Sequence, residues 1–202
     1  LLAAETRRLE LATAVTDPYI RHPALTANAM ATVADASGGR AILGLGAGAS
    51  GFGALSIERP APATAIRETI ELSRLLWSST EAFSFEGRQV SFRDSRLGFL
   101  PPAPLPIWIA GRGPQILELA GELADGVLVA SFVDGPLLEH SLERVAAGEA
   151  RRQPGLRPLE RASWAYVAID PDREAARAAV RTGIAVAMWG SRPIVKQLGI
   201  EL

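Results

Sequence analysis

Short apolar runs alternate with longer helical stretches along this chain, and Gly, Pro and Asp punctuate the joins. The run at residues 41–45 (AILGL) constrains the fold most. It is apolar throughout, and a strand of that kind is covered on both faces, as in a parallel sheet flanked by helices. Residues 9–16 (LELATAVT) read as the strand before it, closed by the turn pair Asp17 and Pro18. Residues 107–110, 127–130 and 162–169 read as three more. A helical stretch follows each. Residues 22–36 place Leu25, Ala29, Val33 and Ala36 on one face. In residues 64–77, Ile66, Ile70 and Trp77 form an inner stripe, with Arg67 and Glu71 as an i,i+4 pair outside. Pro114 opens the next helix, whose inner face is Ile116, Leu119, Ala120 and Leu123. Residues 136–150, with an apolar stripe of Leu138, Leu142 and Val145, and residues 172–189 complete the series.

Five β-then-α units imply a parallel sheet with crossover helices. Periodicity leaves two architectures open: an open doubly wound sheet, or five eighths of a (β/α)8 barrel. Residues 83–92, broken at Glu86 and Gly87, read as a β-hairpin set between units. The hairpin belongs to an insertion at 79–105 that ends in a Pro-rich connection, within one domain over 1–202.

Composition removes several function classes. Lys and Arg number 21 against 22 Asp and Glu, a formal net charge of −1, so there is no electrostatic footprint for nucleic acid or an anionic membrane. The chain has no cysteine and only two histidines, His22 and His140, which excludes disulfides, thiolate chemistry and a His-rich metal centre. No apolar run approaches the roughly 20 residues that span a bilayer, and a cytoplasmic location is the expectation. The chain begins at Leu1 inside what reads as a helix and stops at Leu202, so the expectation is a segment of a longer protein.

In both candidate architectures ligands bind beyond the carboxyl ends of the strands. Three such places stand out. The first, TAVTDP at residues 13–18, has small side chains that let a flat ligand approach the backbone; it also suits a plain strand end entering a Pro turn. The second, GLGAGASG at residues 44–51, does not open a helix at once as a dinucleotide fingerprint does, because Pro60 and Pro62 intervene first. Its glycines fit close approach to a planar ring, or loop flexibility. The third, AGRGP at residues 110–114, joins a buried strand directly to a helix start. Free amides, the helix dipole and the Arg112 cation make an anion site there, unless the glycines serve only a short turn. His22 reads as a surface or capping residue and His140 as a solvated one. No set of side chains for nucleophilic or paired-carboxylate catalysis is visible, so any catalysis would come from a bound cofactor or from residues outside this chain.

With those loops in hand, the chain resembles the luciferase-like flavin- and deazaflavin-dependent oxidoreductases, in the branch containing methylenetetrahydromethanopterin reductase. The resemblance lies in ATAVTDPYIRHP (residues 12–23), GRAILGLGAG (39–48) and the stretch from Gly113 and Pro114 through LELAGE (117–122) to ADGV (124–127). It implies a (β/α)8 TIM barrel of the luciferase-like type, with about five of eight βα units present, the third to the seventh. It also implies a non-prolyl cis peptide at Ala14 and Val15, in a bulge behind the central ring of the cofactor. Gly46, Ala47 and Gly48 would line the cofactor. Gly111, Arg112 and Gly113 would hold its phosphate, and Ser131 would add to the wall. The implied reaction is hydride transfer between a reduced deazaflavin coenzyme (F420) and an organic small molecule; the alternatives are FMN-dependent monooxygenation and a non-catalytic truncated paralogue. Self-association into a homo-oligomer is a further expectation of the resemblance.

Overall fold

The computed structural model describes residues 1–48, 51–129 and 135–200. A short helix α1 (Leu2–Glu5) leads into strand β1 (Leu11–Ala12), helix α2 (Pro23–Ser37) and strand β2 (Ala41–Leu45). Helix α3 (Pro62–Leu76) follows, then the strands β3 (Phe83–Glu86) and β4 (Ser91–Ser95). Strand β5 (Ile107–Gly111), helix α4 (Pro114–Leu123), strand β6 (Gly126–Val129) and helix α5 (Pro136–Glu149) come next. Strand β7 (Glu160–Ser163) and helices α6 (Arg173–Gly190) and α7 (Arg192–Gln197) complete the order.

The main sheet has five strands in the order β1-β2-β5-β6-β7, every neighbouring pair parallel. Strand residues alternate between its faces. Leu43, Leu45, Ile107, Ile109, Val127 and Val129 pack outward into one core with Ile66 and Ile70 of α3 and with Leu117 and Ala120 of α4. The even-numbered positions Ala12, Ile42, Gly44, Trp108, Ala110 and Leu128 face the other side, where they line one cavity together with Glu160. A single cavity reached by both edge strands, β1 and β7, requires a curled sheet, so this is a half-barrel with a concave face.

Helices α4 and α5 meet backbone to backbone. A Cβ on Gly121 would overlap the Val145 carbonyl, and one on Gly148 would overlap the Glu118 carbonyl. Arg40, just ahead of β2, ties down the entry to β1 by donating to the carbonyls of Ala3 (3.0 Å), Thr6 (2.8 Å) and Leu9 (2.5 Å). The antiparallel hairpin β3–β4 lies over α2 and α3: Val90 and Leu97 pack with Ala24, Ala27, Ala31, Leu72 and Leu76.

Several sequence expectations need correction. Strand β1 is much shorter than residues 9–16, because regular backbone pairing with β2 stops after Ala12 and returns only as an isolated bridge at Thr16 opposite Leu45. The buried face of α2 is Ala24, Ala27, Met30, Ala31 and Ala34, while Leu25 is exposed; alanines let this helix sit close to its neighbours. Arg67 pairs across to Glu122 of α4 at 2.8 Å instead of with Glu71, since an interhelical partner fixes both side chains. The inner stripe of α5 is Leu137, Ser141, Val145 and Gly148, and Leu142 is more than a third exposed. Strand β7 ends at Ser163; Trp164 N–H still donates to the Val129 carbonyl at 3.3 Å, and residues 165–169 run on outside any strand and mostly exposed.

Candidate functional site

The concave face carries an apolar cavity of about 350 Å³ lined by Ala12, Thr13, Ala14, Val15, Gly44 and Trp108, among others. That volume falls in the range of small-molecule pockets. Its wall on the β1 side is a bulge. Between Ala12 and Thr16 the chain lifts off β2, and the Ala14–Val15 peptide bond is cis. Thr13 N–H donates to the Ile42 carbonyl at 3.3 Å on one side of the bulge. On the other side Thr16 N–H donates to the Gly44 carbonyl at 3.0 Å, and Gly46 N–H donates to the Thr16 carbonyl at 2.8 Å. Inside it, the Thr13 hydroxyl accepts from Gly44 N–H and donates to the Gly44 carbonyl, both at 2.9 Å.

The glycines of β2 make this possible. A Cβ on Gly44 would overlap the Thr13 carbonyl oxygen, and one on Gly46 would lie 2.6 Å from Val15 Cγ2. What these two positions admit is therefore the bulge itself, which fills the space that the sequence reading left to a ring or to loop flexibility. Val15 rests on Gly44 and Gly46 and stays 44% exposed, with its free side toward the cavity.

The β2 loop is pinned from the far side. Phe52 is buried and its ring lies against Gly48, at φ +63°. Tyr19 meets that ring edge-on with centroids 6.1 Å apart and donates its hydroxyl to the Pro60 carbonyl at 3.0 Å. Arg59 stands 6.0 Å from the Phe52 centroid and donates to the Gly48 carbonyl. Burial holds the Tyr19 phenol above its ordinary pKa, against the opposing pull of the Arg59 cation.

At the end of β5, Gly113 caps α4 without a side-chain bond. Pro114 has no N–H, and the amides of Ile116 and Leu117 both donate to the Gly113 carbonyl at 3.1 Å. That leaves the Gln115 amide as the first-turn donor without a partner among the described residues. Arg112 Nη1 lies against Gly190 at the end of α6, so close that a Cβ there would overlap it. No ion pair among the described residues involves Arg112. The α4 N-terminus and an arginine without an ion pair among the described residues thus both follow β5 directly.

Of the residues expected to hold a cofactor, Ala14 and Val15 line the cavity, and Gly46 lies directly beneath Val15. Ala47 and Gly48 continue the β2 loop, and Gly111, Arg112 and Gly113 form the β5–α4 corner. Ser131 lies outside the described residues. His22 is a cap, as expected: its Nδ1 accepts from Ala24 N–H at 3.2 Å, and Nε2 lies 2.9 Å from the Ser91 carbonyl. His140 is half-buried rather than solvated as expected, with its Nε2 shielded from solvent. Among the cavity residues that the sequence motifs do not include are Trp108 and Leu128. Period-two alternation within each strand would have found them. Among the described residues no acidic or histidine cluster suits a metal, and no helix is long and apolar enough to cross a membrane.

A family model described as luciferase-like monooxygenase matches residues 1–198. The chain is 37% identical over 196 residues to the 5,10-methylenetetrahydromethanopterin reductase of Archaeoglobus fulgidus, covering 96% of this chain and 58% of that one. It is 32% identical over 208 residues to the F420-dependent glucose-6-phosphate dehydrogenase of Beutenbergia cavernae, covering 98% and 60%. Among solved structures, the coenzyme F420 dependent tetrahydromethanopterin reductase from Methanopyrus kandleri aligns with a TM-score of 0.84 at 28% identity, over 98% of this chain and 62% of that one. The chain therefore spans about three fifths of the length of such relatives. Its parallel half-barrel and the match along nearly its whole length lead to one conclusion: the chain belongs to the luciferase-like monooxygenase family.

Proposed function

We propose that the protein is a deazaflavin-dependent oxidoreductase that transfers a hydride between the reduced coenzyme and an organic small molecule. The observation that carries this reading is the apolar cavity on the concave face, walled by the Ala14–Val15 bulge, in a chain similar to proteins named as F420-dependent, the Beutenbergia cavernae dehydrogenase and the Methanopyrus kandleri reductase. In the same reading the chain supplies the third to seventh units of an eight-stranded barrel. Residues 1–202 form one incomplete domain, with the hairpin and Pro-rich connection at 79–105 as its insertion.

The residues present fit such a coenzyme. Alanine, valine and glycine line the bulge side, Trp108 and Leu128 close the floor, and the two carboxylates among the lining residues, Glu10 and Glu160, are exposed. The bound deazaflavin supplies a ring carbon that gives or accepts the hydride. Val15 and Ala14 present a hydrocarbon surface that covers one face of the ring and excludes water from it. Gly46, Ala47 and Gly48 border it from the β2 loop. The Gln115 amide, the Gly113 cap and the Arg112 guanidinium hold the coenzyme's phosphate at the start of α4. The chain's own part in the reaction is to orient, shield and desolvate.

An anaerobic fluorescence titration of the protein with oxidised deazaflavin coenzyme, and separately with FMN, tests this. Saturable binding of the deazaflavin is expected, weakened by about tenfold or more in Arg112→Ala. Preference for FMN would replace the reading with flavin-dependent monooxygenation. Binding of neither by the folded protein would contradict both.

A further inference from the structure

We infer that Thr13 is a positioning residue: its hydroxyl sets the height of the Ala14–Val15 bulge above β2, and so the placement of the wall on which a ring would lie. This rests on the proposed function for its ligand and on the geometry alone for its mechanism. In a parallel ladder Gly44 would exchange its backbone hydrogen bonds with the neighbouring strand. Here β1 has lifted away, and the Thr13 side chain stands in for the missing backbone. One hydroxyl accepts from Gly44 N–H and donates to the Gly44 carbonyl, both at 2.9 Å. The Gly44 carbonyl also accepts from Thr16 N–H at 3.0 Å, so one peptide group of β2 anchors both ends of the bulge.

Other threonines use their hydroxyls differently. Those of Thr32 and Thr69 donate to carbonyls four residues back in their own helices, at 3.0 Å and 2.7 Å. The Thr13 bond instead crosses 31 residues of sequence between strands. Valine has the shape of threonine without the hydroxyl; it would leave the Gly44 N–H facing a methyl group, a partly buried donor with nothing to bond. Val15 rests on Gly44 and Gly46 and would shift with the bulge.

The test uses Thr13→Val, Thr13→Ser and, as a control, Thr26→Val, which deletes a buried hydroxyl on α2 that has no partner among the described residues. In the protein without coenzyme, amide exchange at Gly44 should quicken by about tenfold in Thr13→Val. It should stay near wild type in Thr13→Ser and Thr26→Val. With the deazaflavin coenzyme, the dissociation constant should rise by about tenfold in Thr13→Val and recover in Thr13→Ser. Unchanged exchange at Gly44 in Thr13→Val overturns the inference, whatever binds. Equal losses in Thr13→Ser and Thr13→Val also overturn it, since methyl packing rather than the hydroxyl would then be responsible. Failure of the wild type to bind the coenzyme would contradict the proposed function, while the exchange measurement would still decide the role of Thr13.

Discussion

At Gly44 a single hydrogen atom separates β2 from the Thr13 carbonyl, because a Cβ there would overlap that oxygen. The obstacle is backbone rather than the end of a flexible side chain, so the overlap is relieved only by moving the bulge. Gly44→Ala should destabilise the protein by about 1–3 kcal/mol in urea unfolding, the usual range for overpacking. It should also distort the cavity wall. Gly53 makes the contrast: nothing lies within 4 Å of its Cβ direction. Gly53→Ala should stay within about 0.5 kcal/mol of wild type, as surface changes do. Equal effects at the two positions would contradict this account of why β2 carries glycine beneath the bulge. Both glycines were visible in the sequence, but the neighbour that makes Gly44 obligatory comes from another strand, so the sequence invited a ligand into space that the protein itself fills.

The inserted hairpin is held to the barrel wall by a carboxylate. Glu68 of α3 is buried, and its oxygens accept from the consecutive amides of Arg88 (2.7 Å), Gln89 (2.8 Å) and Val90 (2.9 Å) at the hairpin turn. Three backbone donors compensate the buried charge, as burial of a carboxylate requires. Glu68→Gln turns an amide NH₂ toward donors and should cost about 2–3 kcal/mol, with faster amide exchange at residues 88–90. Unchanged exchange there would mean that the apolar contacts of Val90 and Leu97 suffice to dock the hairpin. The hairpin was legible from its aromatic strands and the Glu86-Gly87 break; its clamp was not, since Glu68 reads as an ordinary surface position of an amphipathic helix. The same limit applies elsewhere. The apolar run of β2 and the Pro-led starts of α4 and α5 are local signals, and the elements lie where those signals put them. The inward face of α2 and the partner of Arg67 depend on which helix packs alongside, information that a 3.6-residue period does not contain. The shortness of β1 depends on the Thr13 contact to Gly44, which lies 31 residues away in sequence.

At the scale of the whole molecule, the curled sheet gathers the even-numbered faces of its strands into one cavity and turns the odd-numbered ones into the helix-packed core. A parallel sheet covered by helices presents its ligand face beyond the carboxyl ends of the strands, and the bulge after β1, the pinned β2 loop and the Arg112 corner after β5 all sit there. In the proposed function these three features form one site, with the bulge as its wall and the corner as its anion holder. The most direct test is a crystal structure of the protein with the oxidised deazaflavin coenzyme. The account predicts the ring against Ala14 and Val15 on the concave face, with the phosphate at the start of α4 beside Arg112. A ring bound elsewhere on the folded protein, with the concave cavity empty, would contradict it.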